Sequence, residues 1–284
     1  MRKFRLTTLA ILMGLFVVYS CIEDKKENIA VELPVEERLE LAKKYDYAGG
    51  FFEGLAGVAL NDKVGFIDKT GKQVIPCVYD DTYSFSEGLA RVALNGKWGF
   101  IDKTGKQVVP CVYDLAWDYS EGLACVALNG KWGFIDKTGK QVIPCVYDFA
   151  YRFSEGFACV ALNGKWGFID KTGKQVVPCV YDDAWNFSEG LARVKLNGKW
   201  GFIDKTEKQV IPCVYDDASS FSEGLAHVKL NGKEGIIDKT GKQVVPCVYD
   251  DVRYFSAFDI IVAIVGESEE NQVRYYYDRD GNSL

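Results

Sequence analysis

Between Leu55 and Tyr249 the chain repeats one hydropathic pattern. An alternating run such as Leu89-Ala90-Arg91-Val92-Ala93-Leu94 is followed by Lys97-Trp98-Gly99-Phe100-Ile101-Asp102, then by Gln107-Val108-Val109-Pro110-Cys111-Val112-Tyr113. Short runs of this kind, divided by turn residues, predict three strands per unit. Asn95-Gly96 predicts a type I′ hairpin turn, which needs positive φ at both central residues. Asp102-Lys103-Thr104-Gly105 predicts the second turn, with the glycine in the left-handed position. The fifth copy has Glu207 there, a substitution expected to cost about 1 kcal/mol. Pro110 has no N–H to donate, so the third strand is expected to be an edge or bulged at that point.

The pattern has a strict period. A landmark glutamate stands at Glu53, Glu87, Glu121, Glu155, Glu189 and Glu223, each 34 residues after the last. A fixed period of this size marks an array or a closed ring of repeats. The glycines and the proline inside each copy would break any pair of helices. The expected fold class is all-β, an array of 34-residue three-stranded repeats, since no unit of this size buries a face alone. An open superhelical solenoid is favoured. The alternative is a propeller-like ring: the chain starts and ends mid-repeat, as a ring closed by its own termini would. Against the ring, 34 residues is short for a four-stranded blade.

Alternation assigns the faces of the first strand. Ala90, Val92 and Leu94 form an apolar side, and Arg91 and Ala93 are expected to face solvent or a partner. At the Arg91 position the copies read Gly57, Arg91, Cys125, Cys159, Arg193 and His227. Variation concentrates in the link from the third strand to the next unit. One link position reads Tyr83, Trp117, Tyr151, Trp185, Ser219 and Arg253. The four aromatics are candidate ligand residues, a stacking platform for a glycan or peptide, with packing between neighbouring repeats as the competing reading. A second row, Trp98, Trp132, Trp166 and Trp200, ends in Val64 and Glu234. It is read as inter-repeat core, because terminal units of an array are atypical.

KWGFIDKTGK followed by QVVPCVYDDA closely resembles the WG-repeat family of bacterial proteins, and the resemblance covers residues 45 to 282. It implies a β-rich repeat array, often exported, with no assigned enzymatic activity and no catalytic residues to carry over. Arg2, Lys3 and Arg5 precede the apolar run Leu9 to Val18, an export signal too short to span a membrane. Val18-Tyr19-Ser20-Cys21 resembles a lipoprotein lipobox, which implies cleavage after Ser20 and lipid attachment at Cys21. The expected organisation is a signal peptide over 1–20, a tether over 21–33, a short capping helix over 34–44 and the repeat domain over 45–284. That domain holds six full repeats and a degenerate seventh. The expected location is export with membrane anchoring through Cys21, at the periplasmic face or surface of the outer membrane.

The remaining chemistry is sparse. Of nine cysteines, six occupy one strand position and are read as small free thiols. Cys125 and Cys159 share the variable position in adjacent repeats and are the pair best placed for a disulfide, which requires Cα atoms within about 7 Å. His227 is the one histidine, so neither a zinc ligand set nor a base for a nucleophile is expected. No cofactor, metal or catalytic residue is expected. The net charge of −6, with both signs interspersed, argues against nucleic acid. The expected function is a non-enzymatic binding or scaffold module for protein or glycan, with a structural spacer or an accessory of a glycan-degrading system as alternatives.

Overall fold

The computed structural model describes residues 34–266 and 271–284. The segments read from the sequence as signal peptide, lipobox with Cys21 and tether lie outside these residues. One helix, α1 (Val35–Lys44), precedes seven antiparallel sheets, six of four strands and a last one of three. The third sheet shows the plan. A two-residue link strand (Leu115–Ala116) pairs with the first hairpin strand (Leu123–Leu128), which pairs with the second (Lys131–Asp136), which pairs with an outer strand (Gln141–Tyr147). The link strand was not anticipated. With it, the first sheet (from Tyr47) starts in phase with the others, and only the seventh stops one strand short.

The turns follow from their residues. Asn129 and Gly130 join Leu128 to its partner Lys131 with φ of 53° and 74°, a type I′ geometry. In the second turn, Asp136 Oδ1 accepts from the Thr138 amide at 2.9 Å, the Thr138 hydroxyl at 2.6 Å and the Lys140 amide at 3.1 Å. Gly139 closes it at φ 83°, and Glu207 occupies the same turn in the fifth sheet at φ 70°. The glycine of the Trp-Gly pair answers a different need. A β-carbon on Gly133 would lie 2.5 Å from the Ile143 carbonyl oxygen and 2.7 Å from the Cys145 amide nitrogen. The outer strand, bulged where Pro144 interrupts the ladder, crosses directly over that glycine.

Both faces of each interior hairpin are buried. In the second sheet Ala90, Val92 and Ile101 pack back onto Leu55, Phe66 and Ile75 of the first, while Leu89, Phe100 and Val109 pack forward onto Ala124, Val126 and Ile135 of the third. This corrects the expectation that Arg91 and its counterparts face solvent: Arg91 is 7% exposed, and Cys125 and Cys159 are fully buried. The sheets therefore stack face to face, with an edge-on or tilted aromatic pair such as Phe134–Phe153 (4.8 Å) at the first five junctions. At the start of the stack α1 lies on the open face of the first sheet, Leu41 packing with Tyr45, Ala56, Val58 and Ile67. Among the described residues no hydrogen bond, ion pair or core cluster joins the first sheet to the seventh, and the stack is an open array.

Polar ladders lock one sheet to the next. Each landmark glutamate sits in the left-handed region, Glu121 at φ 54°. Its carboxylate accepts from the Gly156 amide at 3.0 Å and lies 3.1 Å from Lys171 Nζ, both in the following sheet. Ser120 Oγ donates forward to the Phe153 carbonyl at 2.8 Å. Asp114 takes the Lys97 ammonium from its own side and the Asn129 amide, at 2.7 Å, from the next hairpin. At the degenerate end the Glu223 carboxylate accepts from the Tyr254 hydroxyl at 3.2 Å instead. Arg279 donates to the Glu223 carbonyl across 56 residues, where Lys137 reaches the Glu87 carbonyl across 50.

Two predictions follow from these contacts. Gly133→Ala is expected to lower the thermal midpoint, with an overpacking cost of about 1–3 kcal/mol, whereas Glu207→Gly is expected to raise it by relieving about 1 kcal/mol of backbone strain. In thermal melts, a gain for Gly133→Ala would contradict the close strand crossing, and a loss for Glu207→Gly would contradict the left-handed turn. The second concerns acid. Lysine ammonium groups hold Asp80, Asp114, Asp148, Asp182 and Asp216 below the ordinary carboxylate value of 3.8. A depressed folded pKa contributes stability above the unfolded value and loses it as pH falls through the folded one, so the melting temperature should be level from neutrality to about pH 5 and fall below about pH 4. A melt unchanged down to about pH 2.5 would contradict these ladders as a source of stability.

Candidate functional site

The side chains that differ between copies collect along one edge, that of the link strands. The two aromatic rows read from the sequence are one row there. Trp117 stacks on Trp132 (6.4 Å, 24°), Trp132 meets Phe149 of the fourth sheet (5.3 Å), Phe149 meets Tyr151 (5.1 Å), and Tyr151 lies between Trp166 (5.6 Å) and Trp185 (5.4 Å). Tyr83 stands apart, tilted over Trp98 at 5.9 Å. Phe149 and its counterpart Leu115 were not identified from the sequence. They stand where other copies carry Asp81, Asp183 and Asp217. The available signal was that substitution of an acid by an apolar residue inside an otherwise repeated link.

An arginine closes each end of this row. The Arg91 guanidinium lies 3.6 Å from the Tyr83 ring, 5.0 Å from Trp98 and 5.8 Å from Trp117. It donates to the Ala116 carbonyl of the next link strand, and its Nε lies 3.3 Å from Asp118. Arg193 repeats the arrangement over Trp185 (4.5 Å) and Trp200 (5.0 Å), donating to the Ala218 carbonyl. Burial pushes both arginine pKa values down, while Asp118 for Arg91 and Asp217 for Arg193 oppose it. Between them, Cys125 reaches the equivalent Ala150 carbonyl at 3.5 Å. Arg91, Cys125 and Arg193 at this position thus all bond forward to the next sheet.

The candidate residues divide by exposure. Tyr83 is 48% exposed, Trp117 37% and Leu115 52%, while Tyr151 and Trp185 are half-buried between neighbours. Burial pushes the Tyr151 hydroxyl up to about 12. Cys125 and Cys159 are free thiols in two different core clusters, which corrects the reading of an outward pair suited to a disulfide. Burial raises both thiols well above their ordinary range, so neither is a ready nucleophile. The six-membered cysteine row is free and half-buried; Cys111 Sγ lies 3.8 Å from the Val92 carbonyl and accepts from Gln107 at 3.4 Å. His227 is half-buried, with its pKa lowered by desolvation. Among the described residues no group of three or more His, Cys, Asp or Glu is placed to hold a metal ion.

Comparison with known proteins places this geometry. No curated protein matches the chain. Among solved structures it is similar to one described as the crystal structure of the eukaryotic initiation factor, with TM-score 0.53 and 11% identity over 85% of this chain and 77% of that one. At that identity the likeness is one of fold. Kluyveromyces lactis Hsv2 gives TM-score 0.44 and 7% identity over 82% of this chain and 98% of that one. PorZ, a bacterial surface component of the type-IX secretion system of Porphyromonas gingivalis, gives 0.33 and 10% over 84% of this chain and 44% of that one. The family model of the WG containing repeat matches seven times, at residues 39–63, 65–98, 98–132, 132–166, 166–200, 200–233 and 235–259. With that model running through most of its length, the chain belongs to the WG containing repeat family.

Proposed function

We propose that this chain is a non-enzymatic scaffold of the cell envelope, lipid-anchored through Cys21, that binds a protein partner along its link-strand edge. The observation that carries this reading is where exposed apolar area and sequence variation coincide. Of the polar side chains that recur, the landmark glutamates, Ser120 and its counterparts and the Lys97–Asp114 pairs are engaged in ladders between sheets, and the Asp136 carboxylates hold turns. The side chains free to differ are at one edge, and there Tyr83, Leu115 and Trp117 stay open to solvent. Large amphipathic aromatics beside apolar area, rimmed by charge, are what recognition surfaces use. The interleaving of Tyr151 between Trp166 and Trp185 leaves few free ring faces for a sugar, which favours a protein over a glycan. The lipobox-like start, and a Cys at the expected processing site, support the anchor.

The test uses the full chain, expressed in a Gram-negative host with its own leader. A clickable fatty-acid label should enter the wild type and not Cys21→Ser. The mature protein, used as bait on solubilised envelope, should retain a defined partner that Leu115→Asp combined with Trp117→Ala releases. Label in Cys21→Ser would remove the anchor from this reading, and equal retention by the double variant would remove the edge.

A further inference from the structure

The first sheet departs from the rest at three positions that meet in space. Gly49 stands where later copies carry Tyr83, Trp117, Tyr151 and Trp185. Gly57 stands where they carry Arg91, Cys125, Cys159 and Arg193, and Val64 where they carry tryptophan. The result is an open cleft of about 310 Å³ between the first and second sheets, lined by Gly57, Tyr47, Phe52 and Phe66 on one side. Asp81, Thr82, Tyr83 and Ser84 line the other. A β-carbon at Gly57 would meet nothing closer than 3.9 Å.

The far wall is not a generic surface. Counting along the repeat, Thr82 holds the place of Ala116 and Ala218, whose carbonyls receive Arg91 and Arg193. Asp81 holds the place of Asp217, the carboxylate whose charge favours the Arg193 cation. Tyr83 holds the place of Trp117, the forward ring near Arg91, and Ser84 that of Asp118, its ion-pair partner. The receiving groups for a guanidinium are therefore present at the first junction, and the chain supplies a hydrogen atom in place of the side chain that would fill them. A planar cation with several N–H donors suits a carbonyl, a carboxylate and an aromatic ring together better than an ammonium does.

From this juxtaposition we infer that the Gly57 cleft is a binding site for a guanidinium group, the exposed arginine side chain of a partner polypeptide, docked against Asp81, the Thr82 carbonyl and Tyr83. The ligand takes the place that Arg91 and Arg193 fill from within. The site shares Tyr83 with the open edge but uses neither Leu115 nor Trp117, so the double variant at that edge and the variants here fail independently.

The test titrates argininamide, and lysinamide as control, into the full chain by calorimetry. Argininamide should saturate one site in the millimolar range that a single cation contact supports, and bind at least about fivefold tighter than lysinamide. Asp81→Asn should weaken it by about fivefold or more. Gly57→Arg, which fills the cleft from the chain itself, should abolish binding and raise the thermal midpoint. Absence of saturation up to about 50 mM, equal binding of the two amides, or unchanged binding in Gly57→Arg would overturn the inference. Should Gly57→Arg not fold, Asp81→Asn decides: an unchanged affinity overturns it as well.

Discussion

The structure depends on burying both faces of a small hairpin between two neighbours. In the third sheet Cys125 faces forward and Val126 backward, and neither has measurable exposure. A four-stranded sheet with strands of two, six, six and seven residues has no interior of its own. Each sheet becomes stable only by lending its faces to the copies on either side, so stability is a sum of junctions. The ends then need different solutions. At the start α1 covers a face that would otherwise lie open, and at the finish the seventh sheet carries more tyrosine and fewer identities with the repeat.

Apolar contact alone leaves sheets free to slide or rotate. The polar ladders remove that freedom by tying defined atoms across each junction. The glutamate clamp shows how far the geometry constrains the sequence. A non-glycine residue in the left-handed region is strained, and glycine would relax it, but only a carboxylate can hold both the Gly amide and the Lys ammonium of the next sheet. Each exposed ion pair is weak alone, and it is their repetition at every junction that fixes the phase of the stack. Repetition of one junction also explains why the copies resemble one another so closely. The link-strand edge takes no part in the clamps, and it is where the copies diverge.

Much of this was legible in the residues. Asn-Gly and Asp-Lys-Thr-Gly named their turns through φ requirements, and Glu207 could be recognised as an intruder before its φ was known. Pro144 announced the bulge. What remained hidden was pairing between copies. Alternation at Ala90, Arg91 and Val92 separates two faces but does not say that both are covered, and an arginine on the second face reads as solvent-facing. Arg91 is buried because its guanidinium finds a carbonyl and a carboxylate in the next sheet, partners 25 and 27 residues away. The two-residue link strand is too short to carry a period. The single aromatic row formed by Trp117, Trp132, Phe149, Tyr151, Trp166 and Trp185 exists only once the sheets are stacked.

Native-state hydrogen exchange of Phe134→Ala against the wild type tests the neighbour-to-neighbour account most directly. Phe134 belongs to the third sheet and packs on Phe153, Ala158 and Val160 of the fourth. Removing it should cost about 3–5 kcal/mol at that junction. The expected result is faster exchange in Leu123–Leu128 and equally in Phe157–Leu162 of the fourth sheet, fading toward the ends of the stack. Faster exchange confined to the third sheet, with Phe157–Leu162 as protected as before, would mean that the copies fold as independent units and would contradict it.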